Sequence, residues 1–263
     1  MTGVQTCALP ISAKAYMADK LLYRHWNFWK NGRRNHVMLL NLETNEVKDI
    51  TPGDWDSPPF MLGGGSYDIS PDSSEICFVS NRDEDQASST NKDLWIVPVS
   101  GGEPKNITKD NLAYDGSPSY SPDGRYIAYV TQNIPGYEAD RFRVAIYDRA
   151  TGEKNILTEE FDYWVENFKW APDSKNIYFT AEYRGFSPLY KINIFTKKIT
   201  NIVEDASIDD FSVSPMGDFI FFVKRLLHKP VEIYRVSVDG GTVTQLTYEN
   251  EELCQKIDIR PAE

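Results

Sequence analysis

Residues 69–83 read ISPDSSEICFVSNRD, and the phrase returns as YSPDGRYIAYVTQN at 120–133, WAPDSKNIYFTAEY at 170–183 and VSPMGDFIFFVKRL at 213–226. Its leading Ser or Ala stands at 70, 121, 171 and 214, in steps of 51, 50 and 43 residues. Periods in this range belong to the blades of a propeller. The Pro of each phrase presets the backbone for the second position of a type I turn, and a residue that tolerates the next place follows. Gly124 and Gly217 can then take the left-handed conformation that closes a hairpin. A strand comes next with apolar residues on both faces: Tyr126, Ala128 and Val130 on one, Ile127 and Tyr129 on the other. It has to be covered from both sides, which predicts an inner strand packed between neighbouring sheets.

A second phrase follows each first one: LWIVPVSGGEPKNIT at 94–108, RVAIYDRATGEKNILT at 143–158, LYKINIFTKKITNIV at 189–203 and EIYRVSVDGGTVTQLT at 232–247. Each reads as a strand, a turn bearing Gly or Lys, and a more polar strand ending in Thr or Val. Polarity suits the exposed edge of a sheet. An earlier copy, HVMLLNLETNEVKDIT at 36–51, has LLYRHWNFW at 21–29 as its preceding strand. The predicted fold is all-β, an incomplete β-propeller of about five four-stranded blades forming an open arc. The expected blades are 16–51, 65–108, 115–158, 166–203 and 208–247, within a partial propeller over 13–251. The alternative is a β-sandwich or barrel of hairpins, which the regular steps and paired phrases disfavour.

The composition agrees. Hydrophobic residues at 41% and charged residues at 25% are globular values, and no apolar run is long enough to span a membrane. Fifteen Tyr, thirteen Phe and six Trp favour strands over helices. A net charge of −11 without Lys/Arg clusters argues against a nucleic-acid partner. Outside the first twelve residues only Cys77 and Cys254 remain, too few for a disulfide framework or a zinc site. His25, His36 and His228 share no ligand spacing, so no metal is expected. No cofactor is expected either. Gly63, Gly64 and Gly65 are followed by neither a helix nor Lys-Ser/Thr, which excludes a phosphate loop.

The opening MTGVQTCALPIS is read as a non-native leader over 1–12: no basic residue precedes its apolar run, and Pro10 interrupts it. TGVQTCALPI resembles the conceptual translation of a sequencing-library adapter, so the native start is expected upstream of Ala13. Localisation is left open between cytoplasm and periplasm.

The phrases SPDGRYIAYV and DLWIVPVSGGEPKNIT resemble the propeller of the prolyl oligopeptidase family of serine peptidases, in its dipeptidyl-peptidase and acylaminoacyl-peptidase branch. Further likeness lies in the stretches from Tyr23, Ser80 (SNRDEDQASSTNKDLW), Ile134 (IPGYEADRFRVAIYDRATGE) and Phe179 (FTAEYRGFSPLYKI), so the resemblance covers Ala13 to Glu263. It implies a propeller over a C-terminal α/β-hydrolase domain carrying Ser, Asp and His, with the active site between the two. That hydrolase domain is absent here. GGSYD at 64–68 and GFSPL at 185–189 both lack the second Gly of G-x-S-x-G, so no catalytic residue is assigned. Residues 252–263 are read as the start of a linker toward the hydrolase, and further blades are expected upstream.

On this reading the propeller screens substrates and lends polar groups to a peptide's N-terminus; peptide substrates are the expected partners, reached through the hydrolase domain. Carboxylates suit a free ammonium and Arg suits a carbonyl. The candidate substrate-binding residues are Arg82 and Glu84 in one charged loop, and Glu138, Asp140 and Arg141 in another. The competing reading for both loops is a solvated turn. Two aromatic clusters, Trp26 with Phe28 and Trp29, and Tyr163 with Trp164, are expected in core or inter-blade packing. A binding propeller like that of the periplasmic Tol system is the alternative function; a carbohydrate-active propeller is disfavoured because no carboxylate pair recurs at blade starts.

Overall fold

The computed structural model describes Ala18 and residues 21–59, 66–226 and 228–257. The suspected leader and Gly63 to Gly65 lie outside these residues. Two hairpins come first, β1 (Arg24–His25) with β2 (Phe28–Trp29) and β3 (Met38–Leu40) with β4 (Val47–Asp49). Four sheets follow, each of four strands in chain order. The first holds β5 (Tyr67–Ile69), β6 (Glu75–Ser80), β7 (Asp93–Pro98) and β8 (Lys105–Asn106). The second holds β9 (Asp115–Tyr120), β10 (Tyr126–Thr131), β11 (Arg143–Asp148) and β12 (Lys154–Ile156). The third holds β13 (Val165–Trp170), β14 (Asn176–Ala181), β15 (Leu189–Asn193) and β16 (Ile199–Val203). The fourth holds β17 (Ser207–Val213), β18 (Phe219–Leu226), β19 (Lys229–Ser237) and β20 (Thr244–Gln245), followed by a short helix, α1 (Glu251–Lys256). Every pairing within these sheets is antiparallel, and the whole is an all-β open propeller. The region of the first expected blade differs: its two hairpins form separate two-stranded sheets.

The recurrent phrase builds the turn between the first two strands of each sheet. The N–H of Ser73, Gly124, Ser174 and Gly217 donates to the carbonyl three residues earlier, at 2.8, 2.8, 3.2 and 2.9 Å. Each of these residues has positive φ, from 56° to 71°, so two serines adopt the conformation for which glycine is the cheaper choice. The leading hydroxyl completes the turn: Ser121 Oγ accepts the Tyr126 N–H at 2.9 Å and donates to Asp123 Oδ1 at 2.6 Å. These turns also stack between sheets, since a Cβ on Gly124 would stand 3.6 Å from Pro71, and one on Gly217 3.6 Å from Pro172.

The second phrase ends in a cap. Thr51, Thr108, Thr158 and Thr247 each accept, through Oγ1, the N–H of the residue fourteen positions earlier, at 2.9, 3.0, 2.9 and 2.9 Å. In the third sheet Val203 takes this place, and β16 runs on to pair it directly with Leu189. A buried N–H has to be matched, by a hydroxyl or by the ladder.

Both faces of β10, the second strand of the second sheet, are covered by different neighbours. Tyr126, Ala128 and Val130 join the cluster shared with the third sheet, around Phe168, Ile177 and Phe179. Ile127 and Tyr129 join the one shared with the first, around Cys77, Val79 and Leu94. Burial of each large aliphatic or Phe side chain among them, such as Ile127 or Phe179, contributes about 1.5–3 kcal/mol. At the arc's ends the apolar residues have less cover. Trp26, Phe28 and Trp29 are 74%, 60% and 48% exposed, so the expectation of packing fails for this cluster, whose hairpin forms a two-stranded sheet of its own. Val231 and Ile233 of β19 are exposed at the other end.

Candidate functional site

Because the strands alternate in direction, the loops between second and third strands share one pole with the loops that lead to the next sheet. Both charged loops singled out in the sequence lie there. Residues 81–92 join β6 to β7, residues 132–142 join β10 to β11, and the Gly136 N–H donates to Thr90 Oγ1 at 2.9 Å. Between them opens a groove of about 410 Å³ lined by Ser88, Ser89, Thr90, Gly136, Tyr137 and Glu138, among others.

The five candidates occupy different environments. Glu138 is exposed on the lip of the groove, and its charge acts on Lys92, whose ammonium is pushed down by burial and partly restored by Glu138. Asp140 is buried and faces inward: it accepts the N–H groups of Asn133 and Ile134 at 2.6 and 3.2 Å and pairs with Arg143 at 3.2 Å. Burial would raise its carboxyl, but the Asn133 N–H and the Arg143 guanidinium outweigh that and hold it below its ordinary value. Arg141 is half-buried and donates to the carbonyls of Thr158, Phe161 and Glu159 at 3.2, 2.6 and 2.5 Å. Both residues hold the loop in shape. Arg82 stacks on Trp95, 3.9 Å from the ring centre, and burial lowers its guanidinium. Glu84 is exposed beyond the groove. Its neighbour Asp83 is consumed within the loop by the Ser89 hydroxyl and Asn91 Nδ2.

The other aromatic cluster packs as expected between the second and third sheets. Trp164 meets Phe142 edge-on at 4.8 Å, and Tyr163 meets Phe161 and Tyr183 at 5.2 and 5.0 Å. Beside it lies an acidic group that sequence reasoning missed. Glu166 of β13 is raised chiefly by burial, opposed by the Ser187 hydroxyl and pushed further up by Glu182 and Asp209. Asp209 of β17 pairs with Arg225. The available signal was a carboxylate near the start of the first strand of two consecutive sheets, in VENFKW and SIDDFSV. With Asp209 already paired to Arg225, the carboxylates of Glu166 and Glu182 can take a cationic group, and the hydroxyls of the groove can take peptide-like polar groups.

No group of three or more His, Cys, Asp or Glu among the described residues is arranged to hold a metal ion. His36 is engaged by Asp49, Nδ1 to Oδ2 at 2.7 Å.

Comparison with known proteins places this geometry. The chain is 32% identical over 245 residues to dipeptidyl-peptidase 5 of Porphyromonas gingivalis, an alignment covering 90% of this chain and 35% of that protein. It thus spans about a third of the length of the curated relatives it matches. Among solved structures, the putative TolB of Agrobacterium tumefaciens aligns with a TM-score of 0.58 at 20% identity, over 81% of this chain and 73% of that one. The acylaminoacyl peptidase of Pyrococcus horikoshii aligns with a TM-score of 0.51 at 16% identity, over 85% and 43%. The TolB beta propeller domain family matches residues 73–259, most of the chain including all but the start of the first four-stranded sheet, and this protein belongs to that family.

Proposed function

We propose that this chain is the non-catalytic, substrate-gating propeller of a serine exopeptidase that releases dipeptides or acylated residues from peptide N-termini. The observation that carries the reading is the alignment of 90% of the chain with a dipeptidyl-peptidase at 32% identity. The polar pole supports it. Glu166 and Glu182 offer carboxylates to a peptide ammonium, and Glu138 stands on a groove rich in hydroxyls. Asp140 and Arg141 act behind the groove by fixing its loop.

The test uses the full-length protein, assayed on peptides with free and with acylated N-termini. Glu166→Gln is expected to lower kcat/KM for free N-termini by about ten-fold or more, the size of a lost charge-assisted hydrogen bond, while acylated peptides change little. The chain on its own is expected to hydrolyse neither; cleavage by it would overturn the reading.

A second reading, a propeller that works only through protein contacts, draws support from the family match. It is discriminated by the coding sequence beyond Glu263: G-x-S-x-G followed by Asp and His supports the peptidase, and a stop codon supports the binding propeller.

A further inference from the structure

At the seam between the first and second four-stranded sheets two carboxyl groups are sealed from solvent. Asp93, which opens β7, is 6% exposed, and Asp115, which opens β9, is 1% exposed. Their partners are neutral. Asp93 accepts Asn106 Nδ2 at 2.8 Å and the Thr108 hydroxyl at 3.2 Å. Asp115 Oδ1 accepts Asn111 Nδ2 at 3.0 Å, and the hydroxyls of Thr131 and Thr108 act on the carboxylate from nearby. Asp115 Oδ2 is buried with no hydrogen-bond partner among the described residues. An oxygen in that position is costly as part of an anion and far less so as a protonated carboxyl.

The charged groups facing the pair are mostly acidic. Asp83 comes from the 81–92 loop, and Asp110 comes from the 107–114 loop with Lys154 as its ion-pair partner. Tyr129 approaches from β10, and the Lys92 ammonium stands 4.7 Å over the Tyr114 ring. Burial raises the Asp115 carboxyl to about 7, its neutral hydrogen bonds drawing it partly back and the Asp93 charge adding to the rise. Asp93 is raised as well, chiefly by burial.

A short chain of hydrogen bonds runs from Asp115 to the groove. Asn111 Nδ2 also reaches Gln132 O at 2.9 Å, and Gln132 Nε2 donates to the carbonyls of Glu138 and Asp140 at 3.0 and 2.5 Å. On the other side the Asp115 N–H donates to Lys92 O at 2.8 Å, where the 81–92 loop ends. We propose that protonation of Asp115 sets how firmly the loops 81–92 and 132–142 are held to each other, so that the groove between them is operated by a proton. The joint acts whatever the groove binds. With the proton on, Asp115 is neutral beside Asp93 and the seam is closed. With the proton off, two buried like charges share one seam, and relief comes from opening it to water, which breaks the Asn111 bridge.

The sign follows from linkage. The closed-state value lies above the ordinary 3.8, so the stabilisation is complete below that value, is lost as pH rises, and is gone above about 7.

The test is hydrogen exchange of the two loops in the purified chain from pH ~4.5 to ~8, corrected for the intrinsic exchange rate. Protection is expected to fall by up to about ten-fold per pH unit and to level off near neutrality. Asp115→Asn is expected to flatten this profile. Asp93→Asn, by removing the neighbouring charge, is expected to move the levelling point to lower pH. A pH-independent wild-type profile, or one that Asp115→Asn leaves sloping, overturns the proposal. Should Asp115→Asn not fold, carboxyl ¹³C titration of the wild type decides: an Asp that keeps its proton to near neutrality supports the joint, and ordinary titration of every Asp overturns it.

Discussion

Arg149 Nε lies 2.9 Å from Glu75 Oε1, and this one contact ties the end of β11 in the second sheet to the start of β6 in the first. The Tyr120 hydroxyl donates to the same Oε1 at 3.0 Å, and the Arg149 guanidinium stands over the Tyr120 ring at 5.2 Å. A further Arg149 nitrogen donates to the carbonyl of Gly124. Three residues from three strands or turns thus hold two repeats in register at the pole opposite the groove.

Arg149→Ala is therefore expected to destabilise the protein by about 1.5–3 kcal/mol, the usual cost of losing a partly buried hydrogen bond to a charged group. Arg149→Lys is expected to recover only part of this, because an ammonium cannot serve Glu75 and the Gly124 carbonyl in the same fork. Urea unfolding of the two variants measures both.

Thr158→Val keeps shape and removes the hydroxyl that the buried Val144 N–H donates to. The expected loss is about 1–3 kcal/mol, the cost of an unmatched buried donor. Val203→Thr should be nearly neutral, since the strand pairing at Leu189 already does this work in the third sheet. The urea midpoints compared at constant slope decide it.

Gly217→Ala places a Cβ on a residue at φ 70° and is expected to cost about 1–2 kcal/mol. Ser73→Gly, at φ 56°, relieves the same strain and is expected to stabilise or be neutral, as glycine also loses more entropy on folding. Opposite shifts in Tm for the two variants are the expected reading.

The turns also make the protein acid-sensitive. The hydroxyls of Ser70 and Ser74 hold the Asp72 carboxyl at about 2, and the Ser214 hydroxyl lowers Asp218. Folded values below the unfolded 3.8 mean stabilisation that is present above that pH and lost as pH falls through the folded value. The urea midpoint is expected to drop between pH ~4 and ~2, and less steeply in Asp72→Asn. This acid limb has the opposite sign to the Asp115 effect, so the two are separable along one pH series.

Local interactions made the fold legible in the sequence. Turn chemistry and strand alternation act over a few residues and recur with each blade, so Pro71, Gly124 and Tyr126 to Val130 announce their roles wherever they stand. The same logic does not reach the site. Asp140 and Arg141 read as candidate ligands because a charged loop looks alike whether it faces a substrate or its own backbone, and only the folded loop aims Asp140 at Asn133 and Ile134.

What the chain's order of residues determined by itself is the repeated four-stranded unit, since each unit is made of neighbours in sequence. What the tertiary structure alone decided is which charges meet. Asp93 with Asp115, and Glu166 with Asp209, come together because adjacent sheets pack face to face and bring residues from different repeats to one pole. Burial there raises the affinity of Asp93 and Asp115 for protons, and burial depends on neighbours that no single repeat contains.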